Sequence, residues 1–421
     1  MRNLFLVLAM LVAVNASGQW EQMPNGMGND CLSNFFTTCG NYLFAGTTGK
    51  GVFRSSNGGA SWDSVNSGLT NRWVMCLYTE NDVIYAGTES SSFSRGGLYK
   101  STNYGESWDS TSLMGKWVSY LYFSGVNKYA ATYYNGIYRS TNNGVNWVQI
   151  NSGLLSLSIG CITELNGDLF VGTKSNGVYK SSNYGDYWYA TSLYGTYINS
   201  LAVLNNTLYA GAGSDGVWRS TDDGINWAPV NTGIGFTYVW SLVTSGTNIF
   251  AGTEQDGVFL STNNGNFWIA KNTGFTTLPP IFYMYEYNNF LYAATYGQSV
   301  WRRLVSEIIK VQNISTEIPS AFSLGQNYPN PFNPNTVIRF EVANGFPVKT
   351  SGNDKVVLKV YDVMGREVET LVNERLKPGS YEVTFDGSGL NSGVYFYKMV
   401  VRHGGSSTDG FSETKRMVLL K

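Results

Sequence analysis

The sequence has little histidine and little charge, and both shortages exclude classes of function. His403 is the only histidine in 421 residues, so the preceding chain contains no Ser-His-Asp or Cys-His catalytic set and no histidine-based zinc site. Charged residues make up 14% of the chain, the net charge is −1, and no block of Lys or Arg occurs. We therefore expect no nucleic-acid partner and no attraction to an anionic membrane surface.

Cysteines and long hydrophobic runs are also scarce. The four cysteines, Cys31, Cys39, Cys76 and Cys161, are too few for a disulfide scaffold of this length, so we expect buried thiols without a redox role. The apolar run at 4–14 is too short to span a bilayer. Together with Arg2 and the small residues before Gln19, it predicts a signal peptide at 1–18. We expect an exported protein with no membrane span, no cofactor and no metal.

Glycine and aromatic residues are abundant, and a phrase rich in both recurs six times at intervals of 39 to 46 residues. One copy is GIYRSTNNGVNW at 136–147. Each copy contains Ser, then Asn or Asp two residues later, then Gly and Trp. These positions are Ser55, Asn57, Gly59 and Trp62; Ser101, Asn103, Gly105 and Trp108; Ser140, Asn142, Gly144 and Trp147; Ser181, Asn183, Gly185 and Trp188; Ser220, Asp222, Gly224 and Trp227; and Ser261, Asn263, Gly265 and Trp268.

Each repeat predicts four short antiparallel strands, because alternating aromatic and β-branched residues are interrupted by Asn and Gly turns. Within the phrase, we expect the Ser and Asn or Asp side chains to bond backbone N–H groups and the Gly to supply a positive φ. We expect every one of the six Trp side chains to insert between neighbouring sheets.

The ends of the repeat region predict the number of sheets. After the sixth phrase, residues 290–304 supply a second and a third strand, but no further phrase follows. The segment WEQMPNG at Trp20 matches WDSVNSG at Trp62, so the missing fourth strand comes from the N-terminus. The sequence therefore predicts an all-β fold with a seven-bladed β-propeller at 19–306, closed by pairing both ends.

A second domain is predicted after the repeats. Four prolines, Pro319, Pro329, Pro331 and Pro334, mark its entry, and we expect a linker at 307–325. Short alternating strands over 326–421 predict a small immunoglobulin-like β-sandwich.

The repeated phrase resembles the Asp-box (BNR) repeat, SxDxGxxW, with Asn in the Asp position in five of six copies. The region is thus similar to the propellers of sialidases, sortilin, xyloglucan-active glycosidases and photosystem-assembly factors. That resemblance implies that the phrase lies on the face opposite the ligand-binding mouth.

The C-terminal segments NYPNPFNP, VYDVMGREV and ETKRMVLLK resemble the sorting domain of cargo for the type IX (Por) secretion system of Bacteroidota. The resemblance implies recognition by that machinery, a cut in the linker by a sortase-like peptidase, and a propeller that is secreted or anchored at the outer cell surface. An ordinary adhesive module is the alternative.

Two sets of candidate enzymatic residues follow from these patterns. Sialidase chemistry is disfavoured, because Arg54, Arg139 and Arg219 share one repeat position, which indicates a structural role. Asp215 and Asp256, with Glu254 nearby, are candidates for the carboxylate pair of a glycoside hydrolase. The alternative is a tight turn, because Asn135 and Asn176 occupy the same place in sister repeats.

A different set favours binding of an unknown glycan or protein. The predicted starts of the innermost strands are Leu32, Trp73, Trp117, Ser158, Tyr197, Tyr238 and Pro280, of which four are large aromatics. They are predicted to line the mouth, beneath a longer loop that carries Phe93 and Arg95. The alternatives are that these rings pack as core between blades, or that the rim serves a structural or assembly role.

Overall fold

The computed structural model describes residues 19–28, 33–90, 95–309, 311–315, 317–343, 354–387, 390–402 and 410–421. The predicted signal peptide, Cys31, Leu32, Phe93 and His403 lie outside the described residues.

Strand β1 spans Glu21–Gln22, and six four-stranded sheets, blades one to six, follow it in chain order. Their strands are β2 (Ser33–Cys39), β3 (Tyr42–Thr47), β4 (Gly51–Ser55) and β5 (Asp63–Ser64); β6 (Val74–Glu80), β7 (Val83–Thr88), β8 (Leu98–Ser101) and β9 (Asp109–Ser110); β10 (Val118–Ser124), β11 (Asn127–Thr132), β12 (Ile137–Ser140) and β13 (Val148–Gln149); β14 (Ile159–Leu165), β15 (Asp168–Thr173), β16 (Val178–Ser181) and β17 (Tyr189–Ala190); β18 (Ile198–Leu204), β19 (Thr207–Ala212), β20 (Val217–Ser220) and β21 (Ala228–Pro229); and β22 (Val239–Ser245), β23 (Asn248–Thr253), β24 (Val258–Ser261) and β25 (Ile269–Ala270).

Blade seven joins both ends of the propeller, as the sequence predicted. It contains β26 (Ile281–Tyr287), β27 (Phe290–Thr295), β28 (Val300–Leu304) and the N-terminal strand β1. Strand β1 is antiparallel to β28, with Glu21 opposite Arg302 and Gln22 opposite Trp301. The fold is therefore a seven-bladed propeller whose last sheet is completed by the first strand.

Burial of the second strand in each blade explains why the blades stack. Every second strand is buried at five of its six residues, in segments such as VIYAGT and NIFAGT. Such a strand is covered on both faces by neighbouring sheets, so its sequence is continuously apolar or small instead of alternating. The hydrophobic clusters accordingly lie between adjacent blades.

A β-sandwich follows the propeller. Helix α1 (Val305–Ile308) leads into β29 (Val311–Ser315), β30 (Ser323–Leu324), β31 (Asn335–Val342), β32 (Asp354–Tyr361), β33 (Glu367–Leu376), β34 (Gly379–Asp386), β35 (Gly393–Arg402) and β36 (Phe411–Leu419). One sheet has the order β29-β34-β31-β30, and the other has the order β33-β32-β35-β36. Alternating side chains of both sheets form the core, as expected for a sandwich.

The segment 307–325 differs from the expected linker. Strands β29 and β30 lie within it and belong to the sandwich sheet. Val311 is 2% exposed and packs in the sandwich core, so burial of an apolar side chain stabilises this pairing. The four-residue helix α1 is also anchored, because Val305 and Ile308 pack against blade seven.

Candidate functional site at the propeller mouth

The repeated phrase forms the same hydrogen-bonded turn in all six copies. In blade three, Ser140 Oγ donates to Asn142 Oδ1 over 2.9 Å and accepts from the Gly144 N–H over 2.9 Å. Asn142 Oδ1 also accepts the N–H of Asn146. Gly144 has a φ of 76°, so the turn requires a residue that tolerates the left-handed region. The turn joins the third and fourth strands and therefore lies at the opposite end of the blade from the loop between the second and third strands.

The six Trp side chains of the phrase divide into two groups that differ in burial and in hydrogen-bond partner, although Trp147 and Trp227 also pack against clusters between blades. Four are buried and donate Nε1–H to a carbonyl of the preceding blade; they are Trp62, Trp108, Trp188 and Trp268. Trp147 and Trp227 are half-buried and donate instead to the carbonyls of Gly144 and Gly224 in their own turns.

The segment that each Trp meets in the preceding blade explains this division. Trp188 docks on Ile150 O, and its own carbonyl lies against Gly153, where a Cβ would come within 2.0 Å. The segments before all four buried Trp residues contain such a glycine, in NG, NSG or NTG, whereas blades two and four have TSL there. Trp147 and Trp227 follow segments without that glycine, and their rings are half-buried against the clusters between blades.

The three repeated arginines bind the turns of neighbouring blades. Arg54 Nη1 lies 2.9 Å from Tyr104 O and 2.8 Å from Glu106 Oε1. Arg139 and Arg219 make the equivalent contacts to the next turn along the ring. These contacts hold adjacent blades together at the end away from the mouth.

Two interleaved rings of residues form the propeller mouth. The first ring is the predicted one, at the starts of the inner strands. The second ring comprises the residue after each second strand, namely Thr48, Glu89, Tyr133, Lys174, Gly213, Glu254 and Tyr296. Six of these residues donate their backbone N–H to the first ring, for example Lys174 to Ser158 O over 2.9 Å. The sequence analysis missed this ring, although the repeats mark its position. The residue immediately before the ring position is Thr in six of the seven blades, whereas the residue at the ring position varies in size and charge.

Aromatic side chains line one side of the mouth in a continuous series. Ring centroids are separated by 6.0 Å between Tyr197 and Tyr238, 4.7 Å between Tyr238 and Trp240, and 5.0 Å between Trp240 and Phe282. Tyr296 extends the series at 5.6 Å from Phe282. We call these five residues the aromatic arc.

The other predicted mouth residues lie outside the arc. Trp117 stacks on Tyr133 at 4.9 Å and meets Tyr134 edge-on, and Trp73 is 49% exposed. Arg95 is exposed, at the edge of the loop whose tip lies outside the described residues. The side chain of Tyr133 forms a hydrogen bond with Tyr197, so Tyr133 and Trp117 continue the series at the end of the arc.

Lys174 extends from blade four to residues of the arc in blades five and six. Its Nζ donates to Asn199 Oδ1 over 2.8 Å and lies 4.7 Å from the centroid of Tyr197 and 5.8 Å from that of Trp240. Gly160 makes this path possible, because a Cβ there would come within 2.8 Å of Lys174 Cε. Desolvation lowers the pKa of Lys174 from 10.5 to about 8, so its positive charge weakens between pH 7 and 9.

Aromatic side chains of three blades contact one another in the channel below the mouth. Phe35 lies 4.2 Å from Tyr283 and 6.1 Å from Tyr120, measured between ring centroids. Burial raises the pKa of Tyr120 and Tyr283, so both phenols are neutral at physiological pH. Cys76 and Cys161 are buried thiols at the same level, and burial raises the pKa of Cys161 to about 12. The mouth is therefore a cup with an aromatic floor.

The two candidate catalytic aspartates bond to their neighbouring loops. Thr196 Oγ1 donates to Asp215 Oδ2 over 2.6 Å, and Thr237 Oγ1 donates to Asp256 Oδ2 over 2.8 Å. Their backbone carbonyls accept from Asn231 and Asn272, as the carbonyl of Asn135 does from Asn151 in a sister blade. Both aspartates thus occupy the position of a turn residue, whereas Glu254 belongs to the second ring.

Several polar atoms at the mouth have no hydrogen-bond partner among the described residues. They are Trp117 Nε1, Trp240 Nε1 and Ser158 Oγ. Each belongs to the first ring or the strand directly below it. Buried polar atoms are normally paired in folded proteins, so these three atoms are exceptions to that rule.

Comparison with known proteins identifies the second domain. Residues 326–409 match the family model of the secretion system C-terminal sorting domain, Por_Secre_tail. The chain carries a type IX secretion sorting domain. This domain indicates secretion or attachment to the cell surface, and it implies an interaction with the type IX secretion system. No curated protein matches the sequence. Within the described ranges, no helix is long and apolar enough to span a bilayer.

Solved structures of similar fold are β-propellers. YCF48 from Cyanidioschyzon merolae is 13% identical, with a TM-score of 0.54, and the match covers 68% of this chain and 99% of that one. A GH74 enzyme from Niastella koreensis is 13% identical, with a TM-score of 0.54 and coverage of 93% and 74%. The extracellular domain of the one component system BT4673 from B. thetaiotaomicron is 13% identical, with a TM-score of 0.56 and coverage of 96% and 60%. The chain thus spans less than two thirds of the BT4673 domain. At these identities the likeness shows the fold alone.

Proposed function

We propose that this protein is an extracellular binding module, exported by the type IX system, that binds a glycan at the propeller mouth. The aromatic arc, which Lys174 contacts, is the observation that carries the proposal. We further propose that a sortase-like peptidase processes the chain, which leaves the propeller secreted or attached to the cell surface.

A sugar suits this cup for physical reasons. The faces of Tyr238, Trp240 and Tyr296 provide apolar surface on which the C–H face of a sugar ring can pack. Lys174 and Glu254 add one charge of each sign, so carboxylated and neutral sugars are both suitable. Because aromatic side chains lie in the channel below the mouth, we expect the end of a glycan to bind.

A protein segment is the second candidate. The propeller of one structural neighbour was solved as "YCF48 bound to D1 peptide", at 11% identity and a TM-score of 0.54, with coverage of 69% of this chain and 98% of that one. Aromatic rims also bind peptides, because rigid rings lose little entropy on binding. A scaffold or assembly role would use the same surface.

Glycoside hydrolysis is the rival proposal, and the aspartates disfavour it. Solved neighbours include a GH74 xyloglucanase from Xanthomonas campestris, at 12% identity and a TM-score of 0.54, with coverage of 76% of this chain and 59% of that one. A hydrolase needs two carboxylates facing each other across the scissile bond. Asp215 and Asp256 instead accept hydrogen bonds from Thr196 and Thr237. We therefore propose binding without hydrolysis.

A glycan and peptide array probed with the chain from residue 19 onward tests the proposal. We expect selective glycan binding that Tyr238→Ala weakens about tenfold or more, because a central aromatic anchor contributes roughly 2 kcal/mol. Tyr189→Ala is the matched control, since Tyr189 is 62% exposed on the outer strand β17. Selective binding of peptides alone would favour the second candidate. Equal effects of both substitutions would refute the mouth as the site.

A further inference from the structure

The sorting domain packs directly on blade six, through strand β33. Phe267 and Ile269 of the propeller belong to the same hydrophobic cluster as the sandwich core. Thr273 Oγ1 donates to Asn373 O over 3.4 Å, and Lys377 Nζ donates to Gly233 O. Apolar and polar contacts thus join the two domains.

A buried charge cluster lies in this interface. Glu374 of β33 accepts from Lys271 Nζ over 2.9 Å, and its other oxygen is 3.6 Å from Arg303 Nη2. The side chains of Lys271, Arg303 and Glu374 are 0%, 2% and 8% exposed. We call these three residues the ion triad. Glu374 compensates Lys271, and together with Glu307 it compensates Arg303, so its loss leaves Lys271 buried without a counter-charge.

Strand β29 adds a second connection between the domains. It follows the anchored helix α1, and it pairs with β34 at the edge of the sandwich sheet, with Val311 opposite Val383 and Asn313 opposite Tyr381. Residues 311–315 lie outside the 326–409 match to the sorting domain family. The propeller side of the chain therefore supplies an edge strand to the sorting domain, as in β-strand addition.

The chain between β29 and β30 is the accessible part of this connection. Glu317, Ile318, Ser320 and Ala321 are exposed, with Ile318 at 59%. Buried residues lie on both sides of this stretch, in β29 before it and at Leu324 after it. Exposed loops with few backbone contacts are the usual sites of proteolytic cleavage.

We propose that 317–321 is the processing segment and that a cut there leaves the two domains associated. Hydrolysis adds one water across a peptide bond, and the propeller part ends in a carboxylate while the sorting part begins with an amine. Strand β29 remains covalently joined to the propeller, and it stays paired with β34 while the ion triad holds β33 on blade six. Release of the sorting domain then requires a second step, in which β29 leaves the sheet and the triad opens.

A cavity of about 640 Å³ beside the triad makes this second step feasible. It lies between the domains and is lined by residues of both, including Trp268, Phe275, Glu374 and Tyr381. The interface is therefore incompletely packed beside Glu374.

The test uses a chain whose residues 317–321 are replaced by the recognition sequence of a site-specific protease. After complete cleavage at micromolar concentration, we expect size-exclusion chromatography with light scattering to show one particle with the mass of the uncut chain. Two separate peaks from the cleaved chain, in which the interface residues are unchanged, would overturn the proposal. This experiment needs no ligand, so its outcome is independent of binding at the mouth.

Variants of the triad test how the fragments are held. We expect Glu374→Gln to weaken the association of the cut fragments at least tenfold. The control is Glu367→Gln on the same strand, whose pair with Lys359 is exposed. If Glu374→Gln does not fold, Lys271→Met in the cut chain provides the same measurement. Equal fragment affinities in the triad variant and the control would overturn the role of the triad.

Discussion

At the residue scale, the tryptophans show that one motif produces two environments. Trp188 is 1% exposed and donates to Ile150 O, whereas Trp147 is half-buried and donates to Gly144 O in its own turn. The hydrogen-bonded turn is the same at both places, so the difference comes from the neighbouring blade. Gly153, in the segment that follows Ile150, admits the backbone of Trp188, and the matching TSL segment before Trp147 has no glycine at that place.

Substitution of these two tryptophans measures the difference. We expect Trp188→Ala to cost about 3–5 kcal/mol, because it leaves a large cavity and an unpaired carbonyl between blades. Trp147→Ala should cost about 1–2 kcal/mol, since its ring is only partly buried and forms its hydrogen bond within its own turn. Chemical denaturation followed by tryptophan fluorescence measures both. Equal costs would show that the close approach at Gly153 contributes nothing to stability.

At the mouth, some residues could be predicted from the sequence and others could not, again because of the neighbouring blade. Tyr197 and Tyr238 were identified by their repeat position, because repeat spacing fixes where each inner strand begins. Lys174 was missed, because the position of its side chain depends on two other residues. Gly160 in the same blade has no Cβ that would collide with it, and Asn199 in the next blade accepts a hydrogen bond from its Nζ. A contact between side chains of two different repeats does not recur at the repeat spacing, so the sequence pattern does not reveal it.

At the element scale, the two short strands at the ends of the propeller, β1 and β29, differ in how readily the sequence predicts them. Strand β1 could be predicted because the seventh repeat lacks a fourth strand and the N-terminus carries a matching segment. Strand β29 has no counterpart in the repeats, and its partner β34 begins only at Gly379, after four further strands. Only the folded structure shows that β29 forms one edge of this sandwich sheet.

Removal of β1 tests closure of the ring. Trp20 is 2% exposed, donates Nε1–H to Lys271 O over 2.6 Å and stacks on Phe275, so deletion of residues 19–22 removes one edge of blade seven. We expect the melting temperature to fall by roughly 10 °C or more. The control, Glu21→Gln, removes only a partly exposed ion pair with Arg302 and should cost less than about 1 kcal/mol. A deletion variant as stable as this control would refute closure by β1.

At the scale of the whole molecule, ring closure and domain docking meet at one residue. The carbonyl of Lys271 accepts from Trp20 Nε1, and the side chain of Lys271 binds Glu374 of the sorting domain. Arg303, which completes the ion triad, lies on β28, the strand that pairs with β1. The docking surface therefore adjoins the seam at which the propeller closes.

The last strand of the sorting domain provides the test of export. Strand β36 pairs with β35 along its length, and Met417 and Leu419 are fully buried, so a chain that ends at Arg402 loses part of the sandwich core. We expect this truncated protein to accumulate in the periplasm, because the secretion machinery recognises the folded sorting domain. Cell fractionation and protease accessibility on intact cells measure its location. Met364→Ser, at a hairpin position that is 76% exposed, is the control and should be exported normally. Surface display of the truncated protein at the level of this control would contradict the assignment of the export signal.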